Sequence, residues 1–361
     1  MKQMRVEELN NAKEWEKFVC SSDAGTFYHS LKWKEVIERS FAHRALYLVA
    51  RSTDGRLVGV LPGFITQSFC IAIYDSIPYS DYGGPIIDPL YSPHASLAML
   101  GFLRDLSLSR ALAYARLRVT SKSLVGLLRS QGVYAESTMG AMEIDLAKTP
   151  SKLIWDNVFS SSRRKKFRQM ERRGFQVREA HTKSDLRIFY NLYLKNMTYL
   201  DAHPYPFSFM EAVWDKLFPS FIRIRILENR KPLAAKLFFR LARKSFSAYV
   251  GIDRKRARAQ QQHVYSPIDY LTWIEIKKAE EEGLSRVSLG STPSDPDNKY
   301  FLQKSSLGCM FYPQVIGWIP LCLSGRILVQ MRSVSLSLWK AVRTSMPSPF
   351  VRILESRLAR L

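Results

Sequence analysis

Length, composition and charge exclude several classes of protein. The chain has 361 residues, too many for one ordinary core, and its 46% apolar content is too high for a disordered protein. Its 54 Lys and Arg against 32 Asp and Glu give a net charge of +22. This excess favours an anionic partner, such as nucleic acid, a phosphorylated carrier or an acidic lipid surface, although some lineages simply favour Arg-rich surfaces.

Cysteine, histidine and hydropathy patterns narrow the class further. The cysteines form no CxxC pair and the histidines no HExxH spacing, so we predict free thiols in a reducing compartment, no metal and no cofactor. Residues 1–17 contain no apolar signal-peptide core, and every apolar run is shorter than the roughly 20 residues of a membrane span. We expect a cytoplasmic protein, with peripheral contact at the inner face of the membrane left open.

The first half of the chain predicts a helix, a hairpin and a tight loop. Residues 28–41 place apolar side chains at helical spacing. Residues 45–66 alternate apolar and polar positions around an Asp-Gly pair, which indicates a β-hairpin. The DYGGP string at residues 81–85 predicts a loop whose glycines let a ligand approach the backbone. A purely structural turn is the alternative for this string.

A strongly basic helix is predicted near the middle of the chain. Residues 163–173 hold seven Lys or Arg, with serines ahead of them as N-cap candidates and Gly174 after them as a stop. Phe167 and Met170, three apart, would form its packing stripe. The cations repel one another unless an anion lies nearby, which favours a bound phosphate. A solvated helix between domains is the alternative.

The second half repeats the alternation of helix and hairpin. Helices are predicted at residues 184–200, with Ser184 as the N-cap, and at residues 265–282, closed by Gly283. Between them, residues 222–241 form a second hairpin, which indicates a weak internal duplication. A strand follows the last helix. Helices interleaved with hairpins predict an α/β (α+β) fold.

In this order, the segments resemble the FemAB family of peptidyl- and aminoacyltransferases and its GNAT-like relatives. The segments that carry the resemblance are GTFYHSLKWKEVIERSFAH at 25–43, GRLVGVLPGF at 55–64, SIPYSDYGGPIID at 76–88, RRKKFRQMERRGF at 163–175, FYNLYLKNM at 189–197 and FLQKSSLG at 301–308. The resemblance implies two tandem GNAT-like acyl-CoA N-acyltransferase-type domains with mixed sheets. The expected units are an N-terminal lobe at 1–150, a C-terminal lobe at 151–313 that opens with the basic helix, and a basic amphipathic extension at 314–361.

Three positions depart from the family pattern. The family usually has Asp-Phe-Gly-Arg where this chain has residues 288–291 (SLGS), and a Phe where it has Gln303. An Asn that is common ahead of the Trp-containing helix is absent around residues 266–268. These departures bear on the substrate rather than on the fold.

One residue of the candidate site follows from the family resemblance, and the others follow from charge and loop composition. Lys304 occupies the position of an important lysine, which we predict to stabilise the charge that develops on the carbonyl oxygen during acyl transfer; a surface lysine is the alternative. The cations predicted to bind substrate or phosphate are Lys32, Arg163, Arg164, Lys165, Arg168, Arg254, Arg256 and Arg258. The residues predicted to line a cleft between the lobes are Tyr79, Asp81, Tyr82, Gly83 and Gly84. A substrate-assisted mechanism would need no strong protein base.

Residues 253–264 bear on the choice of donor. GNAT acetyltransferases wrap a pyrophosphate with a Gly-rich loop at this position, whereas this chain has no glycine there and several cations. We predict an acyl- or aminoacyltransferase that acts on an amine of a phosphate-bearing (cell-envelope precursor-like) acceptor, with aminoacyl-tRNA as the donor. The alternatives are an acyl-CoA-dependent N-acyltransferase and a catalytically degenerate RNA- or membrane-associated binding protein.

The C-terminal segment differs in character from the rest. Residues 314–361 contain seven Lys or Arg and a single acid, Glu355, among many apolar residues. Such basic amphipathic stretches favour peripheral contact with an anionic membrane. Helices packed on the second lobe are the alternative.

Overall fold

The computed structural model describes residues 4–68, 71–119, 134–260 and 266–331. Strands β1 to β15 are Arg5–Glu8, Arg44–Ala45, Leu48–Arg51, Leu57–Leu61, Phe64–Ser68, Ile71–Asp75, Ile86–Ile87, Leu112–Val119, Tyr134–Asp145, Gln176–Glu179, Ile222–Asn229, Lys231–Leu241, Lys244–Ile252, Arg286–Pro293 and Met310–Pro320. Helices α1 to α9 are Ala12–Ser21, Leu31–Ser40, Ser92–Arg110, Ser161–Arg172, Lys183–Tyr199, Phe207–Leu217, Arg254–Ala259, Ser266–Glu281 and Lys299–Ser305. Most of the proposed C-terminal extension, from 332 onwards, lies outside the described residues.

One mixed sheet runs through both halves of the described chain. Its eleven strands lie in the order β10-β11-β12-β13-β14-β9-β15-β8-β6-β5-β2. Strand β13 pairs with β14, and β6 with β8, in parallel, whereas the other pairs are antiparallel. A smaller sheet has the order β1-β3-β4-β7. The predicted α/β fold with mixed sheets is confirmed.

Two central strands join the halves. Strand β9 pairs with β14 on one side and with β15 on the other, and β15 in turn pairs with β8. Because β15 runs from Met310 to Pro320, it crosses residue 314, where the extension was expected to begin. The division into lobes at residues 150 and 313 remains a proposal, and strands β9 and β15 pair with strands of both halves.

Both predicted hairpins form. Strands β3 and β4 flank Gly55, whose φ of +81° suits a glycine turn. Strands β11 and β12 meet at Arg230, which adopts a φ of +60°. The repeated pattern in the sequence therefore corresponds to two real hairpins, one in each half.

Helix ends follow local capping chemistry. At the start of the basic helix α4, the hydroxyl of Ser160 accepts a hydrogen bond from the backbone N–H of Arg163, and Gly174 follows its end at a φ of +78°. The prediction that Ser184 caps α5 is wrong by two residues. Thr182 is the N-cap, because its hydroxyl accepts from the N–H of Asp185 while the Asp185 carboxylate accepts from the N–H of Thr182.

The two halves also share an aromatic core. Phe27 from the first half stacks on Phe239 of β12, with ring centroids 4.4 Å apart. Trp33 of α2 packs edge-on against both Phe239 and Phe209 of α6. Each such ring contributes on the order of 1.5–3 kcal/mol by its burial, so the apolar contact holds the halves together.

Strand β12 has two different faces. Ala235, Leu237 and Phe239 belong to the apolar core that includes residues of α5 and α6. Lys236 and Arg240 alternate with them and point to the opposite face, where they contact side chains of α8. Among the described residues, no helix is both long and apolar enough to cross a membrane.

Candidate active site

A loop from the first half, residues 76–84, is held against the central sheet by Arg118. The Arg118 guanidinium donates to the carbonyl oxygens of Ser76 and Ile77 at 2.9 and 3.1 Å and to the Asp75 carboxylate at 3.1 Å. Ile77 and Tyr79 adopt φ angles of +58° and +60°. Such a backbone costs a non-glycine residue about 1–2 kcal/mol, so the surrounding contacts must impose it.

Asp75 anchors this arrangement from beneath the loop. It is completely buried and forms ion pairs with Arg116 and Arg118. Burial alone would raise the pKa of Asp75, but the two guanidinium groups more than offset this and lower it. The carboxylate therefore stays charged and fixes Arg118, which in turn fixes the loop.

The loop delivers Asp81 to strand β14 of the second half. A Cβ atom added to Gly290 would lie 2.7 Å from a carboxylate oxygen of Asp81. Gly290 has a φ of +75°, which favours glycine as well. The backbone oxygen of Asp81 accepts hydrogen bonds from the Ser291 hydroxyl at 3.4 Å and the Gln314 amide at 3.0 Å. Strands β14 and β15 thus place this carboxylate.

Lys304 approaches the same place from helix α9. Its Nζ donates to the carbonyl oxygens of Ser291 and Gly290 at 2.8 and 3.3 Å. Burial lowers the pKa of Lys304, and the charge of Asp81 acts in the opposite direction. Burial raises the pKa of Asp81, and the charge of Lys304 acts against that shift. A carboxyl from one half and an amine from the other thus both lie beside Gly290, and the charge of each acts on the pKa of the other.

A second face of α9 lines a pocket of about 370 Å³. Arg163 at the start of α4 donates to the Ser306 hydroxyl at 2.8 Å and reaches Asp269 of α8 at 3.3 Å. The side-chain amide of Gln303 donates to the same Asp269 at 2.7 Å. The lining residues are Ser160, Ser162, Arg163, Lys166, Phe167, Ser266, Asp269, Lys299, Leu302, Gln303 and Ser306. Hydroxyl groups beside three cations suit the oxygens of an anion such as phosphate.

The remaining loop residues take part in packing. The Tyr82 hydroxyl donates to Glu143 at 2.9 Å and contacts the Ser288 hydroxyl. A Cβ atom at Gly83 would lie 2.6 Å from the Ser76 oxygen, and one at Gly84 would overlap the Arg118 oxygen, so packing of the loop already requires glycine at both positions. Tyr79 lies in an aromatic stack instead, 4.1 Å from the ring of Phe41 and hydrogen-bonded to His43 at 2.9 Å.

Of the cations predicted to bind phosphate, Arg163 is the one that lies in this pocket. Arg164, its neighbour, donates to the carbonyl oxygens of Trp155 and Phe159 at 3.0 and 2.6 Å. Lys165 is exposed, and Arg168 lies over the Trp155 ring. The structure therefore separates these four cations by the direction in which each leaves the helix.

The other predicted cations make contacts elsewhere on the fold. Lys32 of α2 pairs with Glu35 at 3.2 Å. Arg254 and Arg258 pack on the ring of Tyr199, and Arg256 donates to two backbone carbonyls. The site predicted from the sequence did not include three further residues that line this pocket, Lys166, Lys299 and Asp269. Lys166 could have been found, because it follows Arg163 by three residues and shares its helix face.

A family model matches part of the chain. Residues 161–301 match the family model described as Acetyltransferase (GNAT) domain, so the prediction of a GNAT-type acyltransferase domain, and hence of a transferase, is confirmed. No protein in the curated set matches the sequence.

Comparison with solved structures specifies the fold. The chain superposes on FemX with a TM-score of 0.72 at 14% identity, covering 91% of this chain and 99% of FemX. It also resembles the C-terminal domain (DUF2156) of an Agrobacterium fabrum protein provisionally named lysylphosphatidylglycerol synthetase. The TM-score is 0.58 at 12% identity, and the match covers 90% of this chain and 96% of that domain. The chain also superposes on L-PGS from Bacillus licheniformis with a TM-score of 0.55 at 9% identity, covering 90% of this chain and 97% of L-PGS. The predicted FemAB-type, GNAT-related fold is confirmed.

Proposed function

We propose that this chain is an acyl- or aminoacyltransferase that acylates an amine of a phosphate-bearing acceptor, with aminoacyl-tRNA as the donor. The observation that carries the proposal is the double use of helix α9. One face directs Lys304 to the Gly290 and Ser291 carbonyls beside Asp81, and another lines the cation- and hydroxyl-rich pocket with Arg163. A reacting centre thus lies beside a site suited to phosphate.

The chemistry follows from the two charged groups. A neutral amine attacks the acyl carbonyl and loses one proton as the C–N bond forms, while the carbonyl oxygen carries a developing negative charge. Two hydrogens of the Lys304 ammonium are directed at the Gly290 and Ser291 carbonyls, so the third can donate to that oxygen. We assign proton acceptance from the amine to Asp81, whose desolvated carboxylate is a stronger base than an exposed one.

The bonds balance in a simple exchange. The amine nitrogen forms the new C–N bond, and the ester C–O bond to the donor breaks as the tetrahedral intermediate collapses. The leaving oxygen takes a proton, for which Asp81 is the source once it has been protonated. The products are an amide and a free hydroxyl, and no further reactant is needed.

Two features favour a large polyanionic donor. Residues 253–264 contain no glycine, and the part of this segment that the structure describes forms helix α7 rather than an open glycine cradle. The net charge of +22 favours a nucleic acid over a single nucleotide. The name given to the Agrobacterium fabrum neighbour, lysylphosphatidylglycerol synthetase, agrees with an acceptor that carries a phosphate.

Copurification tests the proposal with no assumption about the substrate. The protein is purified at low salt, and the bound anion is identified by mass spectrometry with and without nuclease treatment. Recovery of charged tRNA is the expected result. A CoA thioester would overturn the choice of donor and favour an acyl-CoA-dependent N-acyltransferase, the reading that the GNAT domain match supports. Recovery of uncharged RNA together with absent transfer would favour a binding protein.

Peripheral membrane contact through residues 314–361 stays a proposal. A helix at residues 323–331 supports it, because Leu323, Ile327 and Met331 are exposed at a spacing of four residues beside Arg326. Cosedimentation with vesicles tests this contact. We expect the protein to sediment with vesicles that contain an anionic lipid, and to lose this binding when the three apolar residues are changed to Ser. An equal amount of protein in the pellet without vesicles would contradict this contact.

A further inference from the structure

A directional chain of hydrogen bonds links strand β9 to the loop that carries Asp81. The Tyr82 hydroxyl donates to the Glu143 carboxylate at 2.9 Å and contacts the Ser288 hydroxyl. The Ser288 hydroxyl accepts from the backbone N–H of Gly290 at 3.2 Å. Because an ionised carboxylate can only accept, the single hydroxyl proton of Tyr82 goes to Glu143, and Ser288 donates its own proton to Tyr82. The chain therefore runs from Gly290 to Glu143 and ends on a charge.

This chain spans an irregularity in strand β14. Ser288 lies opposite Glu143 in the antiparallel pairing of β14 with β9, and the register shifts between Ser288 and Ser291. Gly290 lies inside this bulge at a φ of +75°, and its N–H bonds to the Ser288 side chain. The hydrogen bonds thus tie the bulge, the loop and the neighbouring strand together at one point.

The middle of the chain is shielded from water. Tyr82 and Ser288 are 5% and 2% exposed, and the Tyr82 ring packs against Tyr28 and Phe246 with centroids 5.9 and 5.7 Å away. Burial and then the charge of Glu143 raise the pKa of Tyr82 well above its usual value, so the hydroxyl keeps its proton and donates. A hydrogen bond to a charged acceptor is roughly twice as strong as a neutral one. Glu143 is therefore the firmest partner of the Tyr82 hydroxyl.

The position of Asp81 depends on two fixed points. Its backbone oxygen accepts from the Ser291 hydroxyl and the Gln314 amide. Those bonds hold one backbone atom, and the side chain of Tyr82, the next residue, supplies the second fixed point through Glu143. Together the two points set the direction in which the Asp81 carboxylate leaves the loop.

We propose that Glu143 is a positioning residue for Asp81 and that it acts through the Tyr82 hydroxyl. The inference rests on the proposed function, because it bears on transfer only if Asp81 accepts the proton of the amine. One hydrogen bond and one residue separate Glu143 from the reacting carboxylate, so its part is to support that group rather than to react.

The first test follows Asp81 in the full-length protein and needs no substrate. Aspartate is labelled with ¹³C at the carboxyl group, and the titration of Asp81 is followed by NMR, with the Asp81→Asn spectrum as the assignment. Burial raises the pKa of Asp81, so a loop without its anchor admits water and titrates at lower pH. Tyr82→Phe breaks the bond to Glu143 and alters no charge, and it should therefore shift the titration to lower pH.

Two substitutions of Glu143 separate anchoring from charge. Glu143→Ala removes both the acceptor and the charge, so it should shift the Asp81 titration at least as far as Tyr82→Phe does. Glu143→Gln removes the charge but keeps an oxygen that accepts from Tyr82, so its titration should stay closer to that of the parent. Equal shifts in both Glu143 variants with none in Tyr82→Phe would show a purely electrostatic effect and overturn the inference.

Asp145→Asn is the matched control. Asp145 lies two residues along β9 on the same face, where its carboxylate accepts from the Ala147 N–H and pairs with Lys148 at 3.6 Å. The Asp81 titration should be that of the parent in this variant. A shift as large as in Tyr82→Phe would overturn the inference, because the effect would then belong to the strand as a whole. If Glu143→Ala fails to fold, Tyr82→Phe decides, and an unchanged titration in it overturns the inference.

Transfer gives a second measurement once it can be followed. Tyr82→Phe and Glu143→Ala should lower kcat about tenfold or more with little change in KM, because a displaced base affects the reacting step rather than binding. A loss confined to KM would contradict the positioning role. Absence of transfer in the parent protein would sink the proposed function and still leave the titration result standing.

Discussion

Gly290 and Asp81, more than two hundred positions apart in the sequence, are so close that a methyl group on the glycine would lie 2.7 Å from the carboxylate. The contact joins strand β14 of the second half to the loop of the first. Lys304 hydrogen-bonds to the Gly290 carbonyl at 3.3 Å, so one residue touches both members of the proposed pair. The spacing of the acid and the amine therefore depends on a position without a side chain.

Gly290→Ala should impair transfer by displacing Asp81. The added methyl group must displace the carboxylate from its position, and we expect a loss of about tenfold or more in kcat/KM. Gly283→Ala is the control: Gly283 has a similar φ of +73° and open space around its Cβ position. Both variants should lose about 1–2 kcal/mol of stability in urea unfolding. Equal activity in the two variants would contradict the role of the Asp81 contact.

The pocket beside α9 should bind phosphate through Lys166. Lys166→Ala should weaken the binding of pyrophosphate or tRNA by about tenfold. It should also lower the slope of log K against log salt concentration for tRNA by about one, the amount expected for one lost phosphate contact. Arg172→Ala removes an exposed cation from the far end of the same helix and should have little effect. Titration by fluorescence at several salt concentrations measures both. A similar loss in the two variants would indicate a diffuse field rather than a pocket.

Acid should destabilise the fold through His29. This ring is buried, contacts Thr26 and the Gly84 carbonyl, and burial lowers its pKa to about 4. The unfolded chain therefore takes up the proton first, so stability is constant above about pH 6.5 and falls as the pH drops toward 4, by as much as about 3 kcal/mol. Urea unfolding at pH 7 and pH 4.5 measures the change.

A substitution separates this effect from general acid unfolding. His29→Gln should be less stable at pH 7 but should lose less stability on acidification. His94→Gln changes an exposed histidine and should retain the acid dependence of the parent. The same pH dependence in all three proteins would show that other groups are responsible.

Glu275 should be the most costly single carboxylate to neutralise in the second half. It is completely buried and neutralises Arg225 and Arg240. Glu275→Gln would leave the two buried guanidinium groups with only their partly exposed partners Glu179 and Glu282, at a cost of about 3 kcal/mol in unfolding free energy. Glu281→Gln, which breaks an exposed pair with Lys278 on the same helix, should leave the unfolding midpoint unchanged. A small effect at Glu275 would mean that water reaches this network.

Local chemistry made much of the fold predictable. The basic helix starts and ends where Ser160 and Gly174 place it, and both hairpins form around the turns expected. The cap of α5 was misplaced because Thr182 and Ser184 are both good caps, and only Thr182 has an acid three residues later. Signals within a few residues of one another can thus be read directly from the sequence.

The site could be predicted only in part, because it depends on contacts between distant segments. Asp81 and Lys304 were both candidates, but their proximity arises from the order of strands in the sheet. Arg163 and Arg164 are adjacent and chemically identical, yet the rotation of one helix sends the first to the pocket and the second to backbone carbonyls. Lys236 and Arg240 lie on the face of β12 that α8 covers, and the alternation along a strand does not show which face a helix will cover.

Transfer by the intact protein and by Lys304→Met tests the central claim most directly. Bulk tRNA charged with labelled amino acids is mixed with an extract of phosphate-bearing compounds, and the label is followed by chromatography. We expect label to move to an amine of an extract component, and Lys304→Met to slow this transfer by about 100-fold while tRNA still binds. Label that stays on tRNA, or transfer by Lys304→Met at the parent rate, would contradict the claim.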